Sequence, residues 1–229
     1  MAEPLLVFEN ITLHSEEGKA LFVDFHWTVQ RSAKINVRTT SSRTATALFR
    51  LAAGVLHPQE GQVVLDGSPL GPHAFDHPYL HRGALGWVPR DGGLLANLDL
   101  LGNLCLPLIF TKRMERSQAE TKVLKALDHA GLSEVANHRP HALDPSERWL
   151  GSLIRAWLME PELWLVDQPS SSLHHHHQES AATLLGEAVS SHATLVIAGD
   201  YGWVPWNSMQ VVRLEHGKLT PGDRDAVRT

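Results

Sequence analysis

The sequence predicts an α/β fold, in which buried strands alternate with helices and two strands joined by a turn come first. Three observations lead there. Residues 35–54 read as a short apolar strand, a hydroxyl-rich turn (Thr39, Thr40, Ser41, Ser42), and a helix with Ala45, Leu48, Leu51 and Ala52 on one face that stops at Gly54. Residues 5–13 and 21–29 read as two strands joined by a turn at 15–19. The apolar runs 163–166 and 194–198 read as strands buried on both faces.

The remaining elements follow in order. Residues 62–65 form a strand ending in an Asp66-Gly67 turn, and 68–83, rich in Pro, His and Gly, read as a loop or short helix. Residues 117–130 have helical spacing (Val123, Leu124, Leu127, Ala130) and stop at Gly131. A helix is expected over 148–158, with Leu150, Leu153, Ile154 and Trp157 on its apolar face, and another over 178–190. Residues 210–219 read as a hairpin, and the tail after Pro221 as mobile.

Composition bounds the function. The 229 residues, 43% hydrophobic, suffice for one compact domain with a subdomain. A net charge of −5 does not suggest a nucleic-acid partner. The single Cys105 fits a reducing compartment, and the first residues do not read as a signal peptide. No apolar run approaches the roughly 18 residues needed to span a membrane. Fifteen histidines are unusually many, and four are consecutive, 174–177. In a helix only His174 and His177 of that run would share a face, so a zinc site would need ligands from elsewhere. A solvated helix start is the reading the residues favour; a metal site or a pH-sensitive contact are the alternatives.

Strand, turn, helix and glycine stop, followed by residues 55–67 with Pro58, Gly61, Asp66 and Gly67, resemble the ATP-binding cassette (ABC) family, the ATPase subunits of membrane transporters. The likeness covers roughly residues 5–220 in order and spacing. It implies a P-loop NTPase-type parallel sheet core with an N-terminal antiparallel β-subdomain and an inserted α-helical subdomain. The whole chain, 1–229, is then one ABC-ATPase-like domain, with 1–93 and 152–229 as core plus β-subdomain and 94–151 as the helical subdomain. Asn103, Leu104, Leu106, Pro107 and Leu108 echo cassettes that serve lipid transporters of the mammalian-cell-entry type.

The family's chemistry is largely replaced. Its phosphate loop, G-x-x-x-x-G-K-[ST], aligns with Thr39, Thr44, Ala45 and Thr46, so both glycines are threonine and the lysine is alanine. Threonine is poorly suited to positive φ. Losing the lysine and two or three backbone donors removes on the order of 5 kcal/mol, about a thousandfold in affinity or more. Thr46 alone is kept; Ser42 and Arg43 complete the degenerate nucleotide set, Arg43 with a charge to offer an anion at the helix start. His14 stands nearest the adenine-stacking position, and Ser32 replaces a glycine before the third strand. Arg90 stands where the family has a magnesium-contacting glutamine. The signature slot, L-S-G-G-Q, holds Leu143, Asp144, Pro145, Ser146 and Glu147; only the leucine matches, Asp144 would repel phosphate and Pro145 lacks an N–H. Residues 163–169 match the Walker B strand. Asp167 is the retained magnesium carboxylate, Gln168 replaces the general-base glutamate, and Gly199 stands at the switch histidine with Asp200 after it.

The resemblance therefore implies a non-catalytic (pseudo-ATPase) ABC-like subunit, peripheral on the cytoplasmic face of a membrane. It would act as scaffold or regulator in a transporter, and the likeness of residues 103–108 implies a lipid cargo. Its partners would be a membrane permease subunit and a second cassette subunit, in a dimer. No catalytic residue and no cofactor are expected. The alternative is a divergent ATPase that holds Mg-ATP through Thr46 and Asp167. A third reading is a non-nucleotide anion or metal in the vacated cleft, held by Arg38, Arg43 or the histidine run.

Overall fold

In the computed structural model, residues 4–73, 76–167, 173–199 and 209–222 are described. Strands β1 (Pro4–His14) and β2 (Ala20–Gln30) pair antiparallel, and β4 (Glu60–Leu65) and β5 (Ser68–Pro69) extend them into a four-stranded sheet of order β2-β1-β4-β5. The second sheet has six strands. Their ranges are β3 (Lys34–Arg38), β6 (Leu85–Val88), β7 (Leu163–Asp167), β8 (Thr194–Ala198), β9 (Gln210–Glu215) and β10 (Lys218–Pro221), in the order β10-β9-β3-β8-β7-β6. All its pairings are parallel except the β9–β10 hairpin. The expected α/β architecture, antiparallel subdomain ahead of a parallel core, is what the chain adopts.

Strands β7 and β8 are buried at every residue, which is why they read as unbroken apolar runs. Their alternate side chains divide between two cores. Trp164, Val166, Leu195 and Ile197 face one that contains the helices α3 (Leu100–Phe110), α4 (Arg116–His129), α5 (Pro145–Leu158) and α6 (His175–Ser190). Leu163, Leu165, Val196 and Ala198 face the other, shared with β1, β2 and α1 (Ser42–Ala52). The point 151/152 that separates core from helical insertion in the sequence reading falls inside α5, so this helix is common to both parts.

The turns account for the Asp66-Gly67 and Ser32 positions locally. Asp66 (φ 51°) and Gly67 (φ 74°) are both left-handed, as a two-residue hairpin between β4 and β5 requires. Ser32, at the expected glycine, takes φ 61°, and its backbone N–H and hydroxyl are held by the Thr194 hydroxyl and the His192 carbonyl, at 2.9 Å each.

Several expectations are corrected. Residues 68–83 hold the short helix expected there, α2 (Pro78–His81), with Tyr79 fully buried, and in addition strand β5. Helix α5 begins at Pro145, not 148, because Asp144 and Glu147 cap it. Its large buried aromatic is Trp149, whereas Trp157 is half-buried and donates to Glu187 at 2.8 Å. Helix α6 begins at His175, three residues earlier than the apolar spacing indicated. The tail beyond 222 lies outside the described residues.

Candidate functional site

Ligands of open parallel sheets bind beyond the carboxyl ends of the strands, and the candidate residues gather there. β3 ends at Arg38, the turn 39–41 follows, and α1 starts at Ser42 with Ser41 as N-cap. Two adjoining clefts open at this end, with volumes of about 480 and 880 Å³, and both are lined by Thr46, Arg50 and Arg90. The smaller also touches His14, Ser42 and Arg43; the larger reaches Pro145, Arg148, Arg155 and Asp167.

The turn satisfies some of its own donors. The Ser41 N–H donates to the Thr39 hydroxyl at 3.1 Å, the Thr44 N–H to the Ser41 hydroxyl at 3.2 Å, and the Ser41 and Thr44 hydroxyls pair at 2.8 Å. No residue from 39 to 46 has positive φ. Two of the amides that a glycine-rich loop would turn toward a phosphate, those of Ser41 and Thr44, are here bonded within the turn. Ala45 is fully buried, facing the core rather than the cleft. Arg43 does not add its charge to the helix start: its guanidinium pairs with Glu17 at 2.8 Å, both side chains exposed. His14 is bound to the side chain of Gln59, Nδ1 to Oε1 at 3.0 Å.

The retained pair meets. Thr46 Oγ1 donates to Asp167 Oδ2 at 2.8 Å, and Oδ1 of this fully buried carboxylate has no hydrogen-bond partner among the described residues. Burial raises the Asp167 pKa to about 6, against the opposing pull of the Thr46 hydrogen bond and the nearby Arg90 charge. A hydroxyl and a carboxylate with an unused oxygen are hard donors that fit Mg²⁺. On the phosphate side the family's lysine and glycines are replaced, and the Ser41 and Thr44 N–H groups are already bonded.

At the signature slot, Asp144 Oδ1 accepts the Glu147 N–H at 2.9 Å and Glu147 Oε2 accepts the Asp144 N–H at 2.8 Å. This capping box places two carboxylates on the start of α5 and uses donors that an anion would need. Leu143 is buried. Ser146 turns inward, its hydroxyl 2.7 Å from Nδ1 of the buried His177 and accepting the His174 N–H at 3.1 Å. Sequence reasoning missed both features. The spacing Asp144-x-x-Glu147 with Pro145 at the first helical position was the available signal for the first; nothing local pairs Ser146 with His177, 31 residues away.

A second missed residue is Arg155 on α5. It donates to the carbonyls of Gly93 at 2.9 Å and Gly92 at 3.4 Å, tying the segment after Arg90 to the helix. Gly199, at the switch position, donates its N–H to the Val37 carbonyl at 3.3 Å. Gln168 and Asp200 lie outside the described residues.

Comparison with known proteins agrees with this architecture. The family model described as "ABC transporter" matches residues 26–171. Among curated proteins, the chain is 26% identical over 209 residues to an Fe(3+) ions import ATP-binding protein of Pectobacterium atrosepticum, covering 90% of this chain and 59% of that one. It is 30% identical over 170 residues to an Fe(3+) ions import ATP-binding protein of Haemophilus influenzae, covering 74% and 48%. The chain thus spans about half to three-fifths of the length of these relatives. Among solved structures, a dimeric ATP-binding cassette in a post-hydrolysis state bound to ADP and Pi superposes with a TM-score of 0.81 at 21% identity, covering 95% of this chain and 98% of that one. A dimeric bacterial ABC transporter cassette gives 0.80 at 21%, covering 94% and 96%. At that identity the likeness speaks for the fold alone.

Proposed function

This chain belongs to the ABC transporter family, and from that premise we propose that it is a non-catalytic subunit, a scaffold or regulator docked on a membrane transporter. One observation carries the reading. The Ser41 and Thr44 N–H groups are bonded to the hydroxyls of Thr39 and Ser41, so two donors of the phosphate cradle are taken up within the turn. The carboxylates of Asp144 and Glu147 at the signature slot support it, since in a dimer that slot would face the partner's nucleotide. Neither phosphate-binding surface that this chain would contribute to a paired assembly is equipped.

The partners in this reading are a membrane permease subunit and a second cassette subunit, with the chain peripheral on the cytoplasmic face. No described helix is long and apolar enough to cross a membrane. Phe110 on α3 and Leu124 on α4 are exposed apolar side chains of the helical insertion, suited to a docking contact. The lipid cargo inferred from residues 103–108 has no support from the two curated relatives, whose names refer to Fe(3+) import. Ferric-ion import is the cargo class those names favour.

A second reading, a divergent ATPase, draws on the Thr46–Asp167 pair and its unused Oδ1. Calorimetry with Mg-ATP on the purified chain separates the two. The scaffold reading expects no binding tighter than about 1 mM and no steady phosphate release. Tighter binding or sustained release decides for the divergent ATPase.

A further inference from the structure

We propose that His174, His176 and His177, backed by Asp144 and Ser146, form a binding site for a borderline divalent transition-metal cation, with Zn²⁺ as the best match. This inference does not rest on the nucleotide reading. A ligand atom from each of the three imidazoles lies within 4.8 Å of the others. The ring centroids are 4.0 Å apart for His176 and His177, 5.7 Å for His174 and His176, and 5.8 Å for His174 and His177.

Helical spacing would have kept His176 off the face shared by His174 and His177. The constraint lifts because His174 is not helical. It is the N-cap of α6, extended at φ −61° and ψ 147°, and its ring lies against both neighbours in the first turn. Tetrahedral coordination with bonds of about 2.0–2.1 Å brings ligand nitrogens to roughly 3.4 Å from one another. His174 and His176 are exposed, so their side chains can close that distance by rotation without disturbing the core.

The supporting groups are in place on α5. His177 is buried, and Ser146 occupies its Nδ1 at 2.7 Å, leaving the other ring nitrogen for a metal. Asp144 Oδ2 stands 3.7 Å from His174 Nδ1, placed to orient that ring or to supply an oxygen ligand. An imidazole bound to metal is characteristically fixed through its second nitrogen by such a partner. Three imidazoles and one carboxylate suit Zn²⁺, Co²⁺ or Ni²⁺ rather than Mg²⁺ or Ca²⁺. The bound cation would fasten the start of α5, which carries the signature slot, to the start of α6.

The test is titration of the full chain, free of added histidines, with ZnCl₂ by calorimetry, with Co²⁺ absorption as a check on geometry. One equivalent should bind with micromolar affinity or better. His174→Ala and His176→Ala should each weaken binding tenfold or more, and Ser146→Ala by about 10- to 100-fold, with the circular dichroism unchanged. His175→Ala is the deciding control, since His175 belongs to the run but not to the cluster. It should leave affinity unaltered. If His175→Ala weakens binding as much as its neighbours do, the run binds as a flexible polyhistidine and the built site is refuted. If the His174→Ala/His176→Ala double variant binds like the parent, or the parent binds no tighter than about 100 µM, the proposal also fails.

Discussion

Thr46 Oγ1 lies 2.8 Å from Asp167 Oδ2, so the N-terminal half of α1 and the end of β7 are joined by one hydrogen bond between partly and fully buried partners. The bond satisfies only one oxygen of the carboxylate, and the other is buried without a partner. Asp167 is thereby a charge that the fold holds at a cost.

That cost has a sign and a window. The folded-state pKa of Asp167 is about 6, above its ordinary value of 3.8, so between these values the folded chain binds more protons than the unfolded one. Stability from this group is present in full below about pH 4 and is lost as pH rises through 6. Two units correspond to about 3 kcal/mol at pH 7.5. Asp167→Asn retains an oxygen to accept from Thr46 without the charge. Thermal unfolding should rise by roughly 5–10 °C at pH 7.5, and by much less near pH 4.5. An equal gain at both pH values would show that the charge is not the cause.

Ala45→Lys should not restore nucleotide binding. The position matches the family's lysine in sequence, but the methyl group is fully buried beside Leu48 and Phe49 in the β-side core. A lysine there must either distort the turn or desolvate its ammonium. The Ser41 and Thr44 amides also remain bonded within the turn. A lower unfolding temperature and an unchanged, weak response to Mg-ATP in calorimetry are the expected results.

Much of this was legible in the sequence, and the reason is physical. Strands buried on both faces must be apolar throughout, so β7 and β8 declared themselves. The 35–54 segment carried a strand, a turn and an amphipathic helix with little ambiguity. What escaped were contacts made by polar side chains across long separations. Ser146 with His177, and Arg155 with Gly92 and Gly93, depend on packing that no local period encodes. The early starts of α5 and α6 escaped because their first turns are polar, set by capping and by the histidine run rather than by an apolar face.

Glu147→Ala tests the cap at the signature slot. It removes the acceptor of the Asp144 N–H and one carboxylate from the start of α5, while Asp144 still accepts from residue 147. Half of the capping box and part of the dipole contribution are lost, roughly 0.5–1.5 kcal/mol. The unfolding temperature should fall by about 2–5 °C, read by calorimetric scanning.

Gly61→Ala should be the most damaging of these changes, though it adds a single methyl group at an exposed position. Gly61 sits in β4 with φ 82°, where an L side chain is strained. A Cβ there would run into the backbone carbonyl oxygens of Glu9 and Asn10 on β1, neither of which can rotate away. Relief requires moving one strand off the other, at the register shift between the Glu9–Gln62 and Thr12–Glu60 pairs. The antiparallel sheet is bound to the rest of the molecule through the same core as α1, so the loss is global rather than local. A destabilisation of about 2–4 kcal/mol is expected, seen as a fall of roughly 5–12 °C in unfolding temperature. Gly18→Ala is the matched control: φ is 77°, but a Cβ there meets nothing within 4 Å, so only the backbone strain of about 1 kcal/mol remains. Equal losses at the two sites would show that the contact with β1 contributes nothing.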